Sequence, residues 1–129
     1  MLLDTTFLIG AERSRASLDD VIDDEDDIAV AAITVAELLV GVELSKGKPR
    51  RERQRLVDDV TASLPIVEYD GEVARAHALL LVEVRRQGRP RGAHDLIIAA
   101  SALSSNRVVV TADRTAFIDL PGVTVVFHR

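Results

Sequence analysis

The sequence predicts an α/β domain in which helices pack on a mostly parallel sheet. Short apolar runs rich in Val, Ile and Leu alternate with longer helical patterns, and several of these runs lack the period-2 alternation of a half-exposed strand. The 129 residues are enough for one hydrophobic core, and no linker-like, low-complexity or repeated segment divides them. We therefore expect residues 1–129 to form a single domain with five strands and about six helices.

The first half of the chain predicts three strands, each followed by helical pattern. The expected strands are 1–3, 28–30 and 65–67. The expected helices are one that follows Asp4 and two that span 33–44 and 50–64. Thr34 is expected to cap the helix over 33–44, with Glu37 as its capping-box partner three residues on.

The second half of the chain predicts two helices and then two strands. A long helix is expected over 71–86, ended by Gly88 and Pro90. The almost uniformly apolar segment 95–103 is typical of a buried helix. The β-branched runs 107–111 and 123–127 predict the last two strands.

The composition excludes several classes of protein and site. The chain has no Cys, which excludes disulfides, a cysteine nucleophile and every cysteine-ligated metal. Four aromatic residues and no Trp are too few for a module that binds RNA on an aromatic platform. The longest nearly apolar run, 28–36, is about half of a bilayer span, and no basic region precedes the apolar start of the chain. We therefore expect a cytoplasmic protein without membrane contact.

The charge distribution favours a nucleic-acid partner more than the net charge of −5 does. Seven acids lie within 19–27, and ten of the 16 basic residues lie within 46–55 and 85–91. Clustered arginines beside Gly and Pro can bind a phosphate backbone, because the guanidinium group forks onto phosphate. A pair of solvated helix ends is the alternative. The candidates for RNA binding are Arg50, Arg51, Arg85, Arg86, Arg89 and Arg91.

Four acids stand where a doubly wound sheet places its ligand site, beyond the carboxyl ends of the strands. Asp4 follows the first strand and Asp113 follows the strand near 110, whereas Glu37 and Asp95 lie in apolar helices. A buried carboxylate is costly without a cation, a metal or a shifted pKa. Oxygen ligands alone select Mg²⁺ or Mn²⁺ over zinc, and such an ion can activate water against a phosphodiester.

Each acid also has a structural interpretation that the sequence leaves open. Asp4 can end a strand on backbone N–H groups, and Glu37 is the capping-box partner already named. Asp95 can cap its helix or favour the helix dipole, and Asp113 can cap the short turn over 114–117. His94, which precedes Asp95, could also touch the site. No phosphate loop, dinucleotide fingerprint or serine-hydrolase elbow is present.

Four segments in this order resemble the PIN-domain ribonucleases, and among them the VapC toxins of bacterial toxin–antitoxin pairs. They are Met-Leu-Leu-Asp-Thr-Thr-Phe-Leu-Ile at the start, Thr-Val-Ala-Glu-Leu-Leu-Val-Gly near residue 40, Gly-Ala-His-Asp-Leu-Ile-Ile-Ala-Ala-Ser-Ala-Leu, and Val-Val-Thr-Ala-Asp. The resemblance covers essentially the whole chain. It implies a three-layer α/β/α PIN-like fold with a five-stranded, mostly parallel sheet.

The resemblance also implies a metal site made of Asp4, Glu37, Asp95 and a fourth acid after the strand near 110. The family commonly has Thr-x-Asn-x-x-Asp-Phe there, but this chain has Ala116 at the usual acid and Asp113 at the Asn position. We infer that Asp113 is the fourth carboxylate, with Asp119 as the fallback. Thr6 and Thr111 are possible accessory hydroxyls, although Thr6 can equally be a helix cap.

The implied activity is that of a Mg²⁺-dependent endoribonuclease toxin, with Mn²⁺ as a possible substitute, that an antitoxin neutralises. A homodimer is expected. A phosphoacceptor receiver domain is excluded because it needs a Lys after the fifth strand, whereas Lys46 and Lys48 share one loop. A catalytically weak RNA- or protein-binding module of the same fold and a DNA nuclease with the same site remain as alternatives.

Overall fold

The computed structural model of the chain describes residues 1–13 and 27–128, so most of the acidic run at 19–27 lies outside the described residues. The strands are β1 Leu2–Leu3, β2 Val30–Ala31, β3 Ile66–Val67, β4 Val109–Thr111 and β5 Val125–Phe127. The helices are α1 Thr5–Arg13, α2 Ala32–Glu43, α3 Gly47–Ser63, α4 Gly71–Gln87 and α5 Ala93–Ser104. The expected order is confirmed for the elements of the described ranges, which include five helices.

All the strand pairings in the described part of the chain are parallel, but they do not form one five-stranded sheet. β4 lies between β1 and β5 in a three-stranded sheet, and β2 pairs with β3 in a second sheet. A single bridge between Leu2 and Ala29 joins the two sheets. The prediction of one five-stranded sheet was therefore wrong, because β1 ends at Leu3 and pairs with the segment before β2 only through this bridge.

Adjacent residues of the strands face two separate cores, which gives the three layers. Leu2 and Val109 pack in a cluster with the buried faces of α4 and α5. Leu3 and Val110 pack in a second cluster with α1, α2 and α3. Side chains of neighbouring strand residues point to opposite faces, so β1, β2 and β4 each contribute to both clusters. The sheets are covered by helices on both sides, as the apolar strands predict.

The predicted cap of α2 is wrong, and of the two structural interpretations of Asp95 the structure shows the position in the first turn and not the cap. The N-cap of α2 is Ala31, so the helix begins directly where β2 ends, and Thr34 lies inside it with a fully buried side chain and no hydrogen bond to Oγ1. The N-cap of α5 is Gly92, and Asp95 lies in its first turn without capping it. The end of α4 at Gly88 is confirmed, with φ at 65°, a backbone conformation that glycine adopts without strain.

None of the helices in residues 1–13 and 27–128 is long and apolar enough to cross a membrane.

Candidate active site

The four predicted acids lie at or near the carboxyl ends of the strands. Asp4 links β1 to α1, and Asp113 is two residues past the end of β4. Glu37 is on the second turn of α2, which continues β2, and Asp95 is on the first turn of α5. Asp4 and Asp113 thus come from the three-stranded sheet, whereas Glu37 comes from the segment that follows the two-stranded sheet.

Asp4 is buried, and its carboxylate accepts hydrogen bonds on both oxygens. Its side chain is 2% exposed. The backbone N–H of Phe7 and the hydroxyl of Thr6 both donate to Oδ1 at 2.9 Å. Asp4 therefore bonds to a backbone N–H group, as its structural interpretation expected, and by this bond it caps α1. Oδ2 accepts from Thr111 at 2.6 Å, and that hydroxyl also lies 3.1 Å from Thr6. The two accessory hydroxyls expected from the sequence therefore contact the same carboxylate.

Burial raises the pKa of Asp4 above its ordinary value, more than any other influence on this group. The hydrogen bonds from Thr111, Phe7 and Thr6 lower that pKa, because they favour the charged form, and the negative charge of Asp113 raises it. Hydrogen-bond donors therefore hold the carboxylate in place, but no positively charged side chain is among the groups that act on its pKa.

Asp95 occupies space that only a glycine at position 92 leaves open. A Cβ on Gly92 would lie 2.8 Å from Oδ2 of Asp95, closer than side chains approach one another. Gly92 is exposed and its φ of −59° is open to any residue, so backbone conformation does not require glycine here. The small residue instead makes room for the carboxylate.

Burial also raises the pKa of Asp95, followed by the repulsion of Glu37, Asp113 and Asp4 in that order. His94 acts in the opposite direction. The other three predicted acids therefore all raise the pKa of Asp95, and Asp113 raises that of Asp4, as expected for carboxylates that lie close together. None of Asp4, Asp95 and Asp113 has an ion pair with a Lys or Arg of the described residues.

Glu37 is held between two elements. Thr5, at the start of α1, donates to Oε1 at 2.8 Å, and Nδ1 of His94 lies 3.4 Å from Oε2. The two contacts connect α2 to α1 and to α5. His94 therefore does touch the site, which the sequence left open, and Thr5 is a site residue that the sequence analysis missed.

Asp113 lies near the other acids and also caps a turn, which was the structural interpretation of this residue. Its Oδ1 accepts from the backbone N–H groups of Thr115 at 2.8 Å and Ala116 at 3.1 Å, which caps the turn after β4. The bond from the Thr115 N–H is the largest of the influences that lower the pKa of Asp113. Asp119, the fallback, is exposed and pairs with Arg89 at 3.0 Å.

Some of the arginines proposed to bind RNA contact other groups of the protein, and others are exposed at its surface. Arg89 is paired with Asp119, and Arg91 donates to the backbone carbonyls of Arg89 at 3.2 Å and Ile118 at 2.6 Å. These two arginines fasten the loop before α5 to the segment after β4. Arg85 and Arg86 are exposed on the last turn of α4. Arg50 lies 3.4 Å from Glu43 at the surface, and Arg51 is exposed.

The donor set suits a hard cation in its chemistry. It consists of carboxylate oxygens that repel one another, two of them on groups whose pKa burial raises. In the positions that the described residues take, no three acidic or histidine side chains are close enough to hold an ion together. A cation shared by these acids would therefore need small side-chain movements, or water between the ion and some of them.

A groove of about 950 Å³ runs from Glu37 between α1, α2 and α3. Apolar side chains of Ile9, Leu38, Leu44 and Leu56 line it together with charged ones, including Arg53. Of the four acids only Glu37 lines this groove, so the groove adjoins the acidic crevice.

The chain matches known proteins along most of its length. The PIN domain family model matches residues 1–122. The tRNA(fMet)-specific endonuclease VapC of Salmonella typhimurium is 31% identical over 98 residues, which are 76% of this chain and 73% of that protein. Ribonuclease VapC5 of Mycobacterium tuberculosis is 32% identical over 112 residues, which are 87% of this chain and 82% of that one.

Solved structures give the same result. VapBC-5 from Mycobacterium tuberculosis, a member of the VapBC family of toxin–antitoxin systems, superposes with a TM-score of 0.78 at 32% identity and covers 99% of this chain and 96% of that chain. DNA-bound VapBC from Salmonella typhimurium superposes with a TM-score of 0.86 at 26% identity, over 98% of this chain and 96% of that chain. The predicted resemblance is confirmed, and the chain belongs to the PIN-domain family, among its VapC ribonucleases.

Proposed function

We propose that this chain is a metal-dependent endoribonuclease that cuts RNA phosphodiester bonds with water, and that it acts as a toxin which a cognate antitoxin neutralises. The observation that carries the nuclease proposal is the pair Asp4 and Asp95. Both are carboxylates whose pKa burial raises, both are repelled by further acids, and neither is ion-paired with a Lys or Arg of the described residues. A site that supports only folding does not need this arrangement.

The residues divide the chemistry among them. Asp4 and Asp95 would hold the divalent cation, which we propose is Mg²⁺ with Mn²⁺ as a substitute, and Glu37 and Asp113 would complete the site directly or through water. When bound, the cation supplies charge stabilisation at the phosphodiester and lowers the pKa of water. Thr6 and Thr111 orient Asp4, and Thr5 and His94 orient Glu37. With water as the nucleophile, the products carry 5′-phosphate and 3′-hydroxyl ends.

The surface arginines provide the remaining contacts to RNA. Arg85, Arg86, Arg50 and Arg51 are exposed and can neutralise flanking phosphates. Arg89 and Arg91, the other two candidates, contact Asp119 and backbone carbonyls, so the binding of RNA phosphates would compete with these contacts.

We propose that the antitoxin occupies the groove between α1, α2 and α3. Its mixed lining, with apolar side chains such as Leu38 and Leu56 among charged ones, suits an amphipathic partner helix or extended segment. Because Glu37 lines one end, a partner seated there would also restrict access to the acids. The active protein is expected to form a homodimer.

Cleavage assays with matched variants test the nuclease proposal. Purified chain is incubated with single-stranded RNA, transfer RNA and single-stranded DNA, with and without Mg²⁺, and the ends of the products are mapped. Asp95→Asn should abolish cleavage and weaken Mg²⁺ binding in calorimetry. Asp119→Asn, which removes an exposed carboxylate away from the crevice, serves as the control and should change neither.

Two results would contradict the proposal. Unchanged Mg²⁺ binding by Asp95→Asn would mean that the acids do not form the metal site. RNA binding without cleavage in any metal would favour the alternative, a catalytically weak binding module. Cleavage of DNA at the rate of RNA would instead assign the broader activity of a nuclease without sugar preference.

A further inference from the structure

An arginine without an ion pair directly follows Asp113 in the loop after β4. Arg114 is exposed, and its guanidinium group forms no ion pair with the described residues. It lies outside the two basic runs of the sequence, 46–55 and 85–91. Because Arg114 is bonded to Asp113, its backbone lies at the rim of the proposed metal site. A positive charge is therefore available beside an acid of that site.

The guanidinium group of Arg114 contacts an aromatic ring and not the neighbouring acid. Its Cζ lies 5.5 Å from the centroid of the Phe127 ring, within the range of about 6 Å for a cation–π contact. The pKa of Asp113 responds to burial and to hydrogen bonds from Thr115 and Ala116, and Arg114 is not among the groups that act on it. The charge of Arg114 is therefore not compensated by the adjacent carboxylate.

The contact with the ring leaves the guanidinium group able to bind an anion. A cation–π contact does not use the N–H groups as donors to oxygen, so they remain available for the forked hydrogen bonds that arginine forms with phosphate. Phe127 is 41% exposed, and Arg114 is exposed as well, so a ligand can approach the pair from solvent.

Phe127 is held beside the strand that contacts Asp4. It is the last residue of β5 and lies opposite Thr111 in the parallel pairing of β4 and β5. The N–H of His128 donates to the carbonyl of Thr111 at 2.8 Å, which connects the end of β5 to β4. Residues in register on neighbouring strands lie about 4.8 Å apart with their side chains on the same face. The ring of Phe127 therefore shares a face with the hydroxyl of Thr111, which donates to Asp4.

The loop of Arg114 also lies close to the other acids. The negative charge of Asp113 raises the pKa of Asp4 and that of Asp95. No other Lys or Arg in the sequence is adjacent to one of the four acids. These acids repel the phosphates on either side of the scissile one, so a positive charge beside them is needed to hold the strand.

We propose that Arg114 binds the RNA phosphate next to the scissile phosphate, and that the ring of Phe127 holds its guanidinium group in position for this contact. The inference rests on the proposed nuclease function and adds a subsite for a flanking phosphate to it. Arg114 touches the substrate, whereas Phe127 acts through Arg114 and is a positioning residue. A phosphate contact carries no sequence information, so this subsite fixes the register of the strand and does not select among bases.

The salt dependence of RNA binding tests the contact without cleavage. Binding of a labelled single-stranded RNA is measured by fluorescence anisotropy in EDTA at several salt concentrations. Arg114→Gln removes the charge and keeps a polar side chain, so the plot of log affinity against log salt should lose about 0.7 of its slope, the value for one phosphate contact in a single strand. Arg75→Gln, at an exposed arginine of α4, is the matched control and should leave the slope unchanged.

Cleavage kinetics give the second readout. Arg114→Gln should raise KM for single-stranded RNA about 3-fold to 30-fold while kcat stays within about threefold, because the contact is the same before and during reaction. Arg114→Lys keeps the charge and should stay closer to the wild type. Phe127→Leu keeps an apolar side chain without the ring, so KM should rise less. The double variant should be no worse than Arg114→Gln alone, because Phe127 acts only through Arg114.

A change in the RNA identifies the phosphate that Arg114 binds. Once the cut site is mapped, an uncharged methylphosphonate replaces the phosphate on one side of it and then the other, each time after a 2′-O-methyl nucleotide. The control strand carries the same nucleotide with an ordinary phosphate. One replacement should raise KM of the wild type and leave KM of Arg114→Gln unchanged. Equal responses of both proteins to both replacements would overturn the proposal.

The outcomes separate this inference from the proposed function. Cleavage by the wild type with unchanged KM and salt slope in Arg114→Gln would overturn the phosphate contact and leave the nuclease standing. Equal losses of slope in Arg114→Gln and Arg75→Gln would also overturn it, since they would report net charge alone. If Arg114→Gln binds RNA normally but escapes an antitoxin that inhibits the wild type, an acidic group of that partner binds Arg114, and the proposal is wrong. RNA binding without cleavage by the wild type would instead overturn the nuclease.

Discussion

Thr111 donates a 2.6 Å hydrogen bond to Oδ2 of Asp4, although 107 positions separate the two residues along the chain. The same hydroxyl accepts from the backbone N–H of Asp113 at 2.9 Å. Thr6 repeats the pattern, since it donates to Asp4 and accepts from the N–H of Ala112 at 3.2 Å. Two hydroxyls therefore connect the loop after β4 to the carboxylate that ends β1, and the placement of Asp4 and that of Asp113 depend on each other.

Thr111→Val should damage both the site and the fold. Valine keeps the shape of threonine but removes the 2.6 Å bond to a buried carboxylate oxygen, which then keeps only the 3.1 Å bond from Thr6. The loss should cost about 1–3 kcal/mol of the free energy of unfolding. Cleavage should fall, because Asp4 loses its orientation. Thr111→Ser retains the hydroxyl and should stay closer to the wild type in urea unfolding and in rate. A valine variant with the rate of the wild type would show that this hydrogen bond does not position Asp4.

Gly92→Ala should reduce cleavage while the fold stays intact. The new Cβ would lie 2.8 Å from Oδ2 of Asp95, so the carboxylate must turn away. Misplacement of a reacting group by about 1 Å can cost about 100-fold in rate, and we expect a loss of about 10-fold to 100-fold. Gly71→Ala, at the first residue of α4, meets no atom within 4 Å and is the matched control. If both variants cleave equally well, the close approach to Asp95 has no catalytic consequence.

Asp113→Ala should lower the rate of cleavage by about 100-fold, the usual effect of losing a positioned charge in an active site. Asp119→Ala should change the rate less than about threefold, because Asp119 is exposed and paired with Arg89. Asp113→Asn removes the negative charge but keeps the turn cap, since the amide oxygen can still accept hydrogen bonds from the N–H groups of Thr115 and Ala116. An asparagine variant with full activity would make Asp113 a turn cap alone.

In the absence of metal, the stability of the protein should depend on pH through the acids whose charged form is disfavoured in the folded state. The pKa of Asp95 is raised above its ordinary 3.8, so its charged form is disfavoured in the folded protein. Its contribution to stability is therefore fully present below about pH 3.8 and is lost as the pH rises through the raised pKa. In urea unfolding with EDTA, Asp95→Asn should be more stable than the wild type at pH 7, and the difference should vanish at low pH. A difference independent of pH would contradict this.

The element order and the four acids could be predicted because both are local properties of the sequence. Apolar runs indicate buried strands, and a polar residue just after such a run lies at the carboxyl edge of a parallel sheet. Asp4 and Asp113 were located in this way from a few neighbouring letters. The placement of Glu37 and Asp95 relied on the resemblance to a family as well as on their apolar surroundings.

The features that the sequence did not predict depend on contacts between remote segments. The division of the sheet follows from how far β1 extends before Asp4, and pairing length is not visible in either strand alone. Thr34 was expected to be a cap because Glu37 follows it at the capping-box spacing, whereas β2 leads straight into the helix, which begins at Ala32. The ion pair of Arg89 could not be predicted because its partner, Asp119, is 30 positions away along the chain. The role of Gly92 depends on the rotamer of Asp95.

The pairing of the first strand with a late one has a consequence for the time at which this protein becomes active. Leu2 lies opposite Val109, so β1 cannot form this pairing until β4 has been synthesised. A nascent chain that still lacks β4 also lacks Thr111 and Asp113, and its Asp4 stands without its donor from that strand. Contacts between distant segments form late, because a long loop must close before they can form. A chain that stops before β4 therefore lacks two groups of the proposed site, and we expect it to be unable to assemble that site.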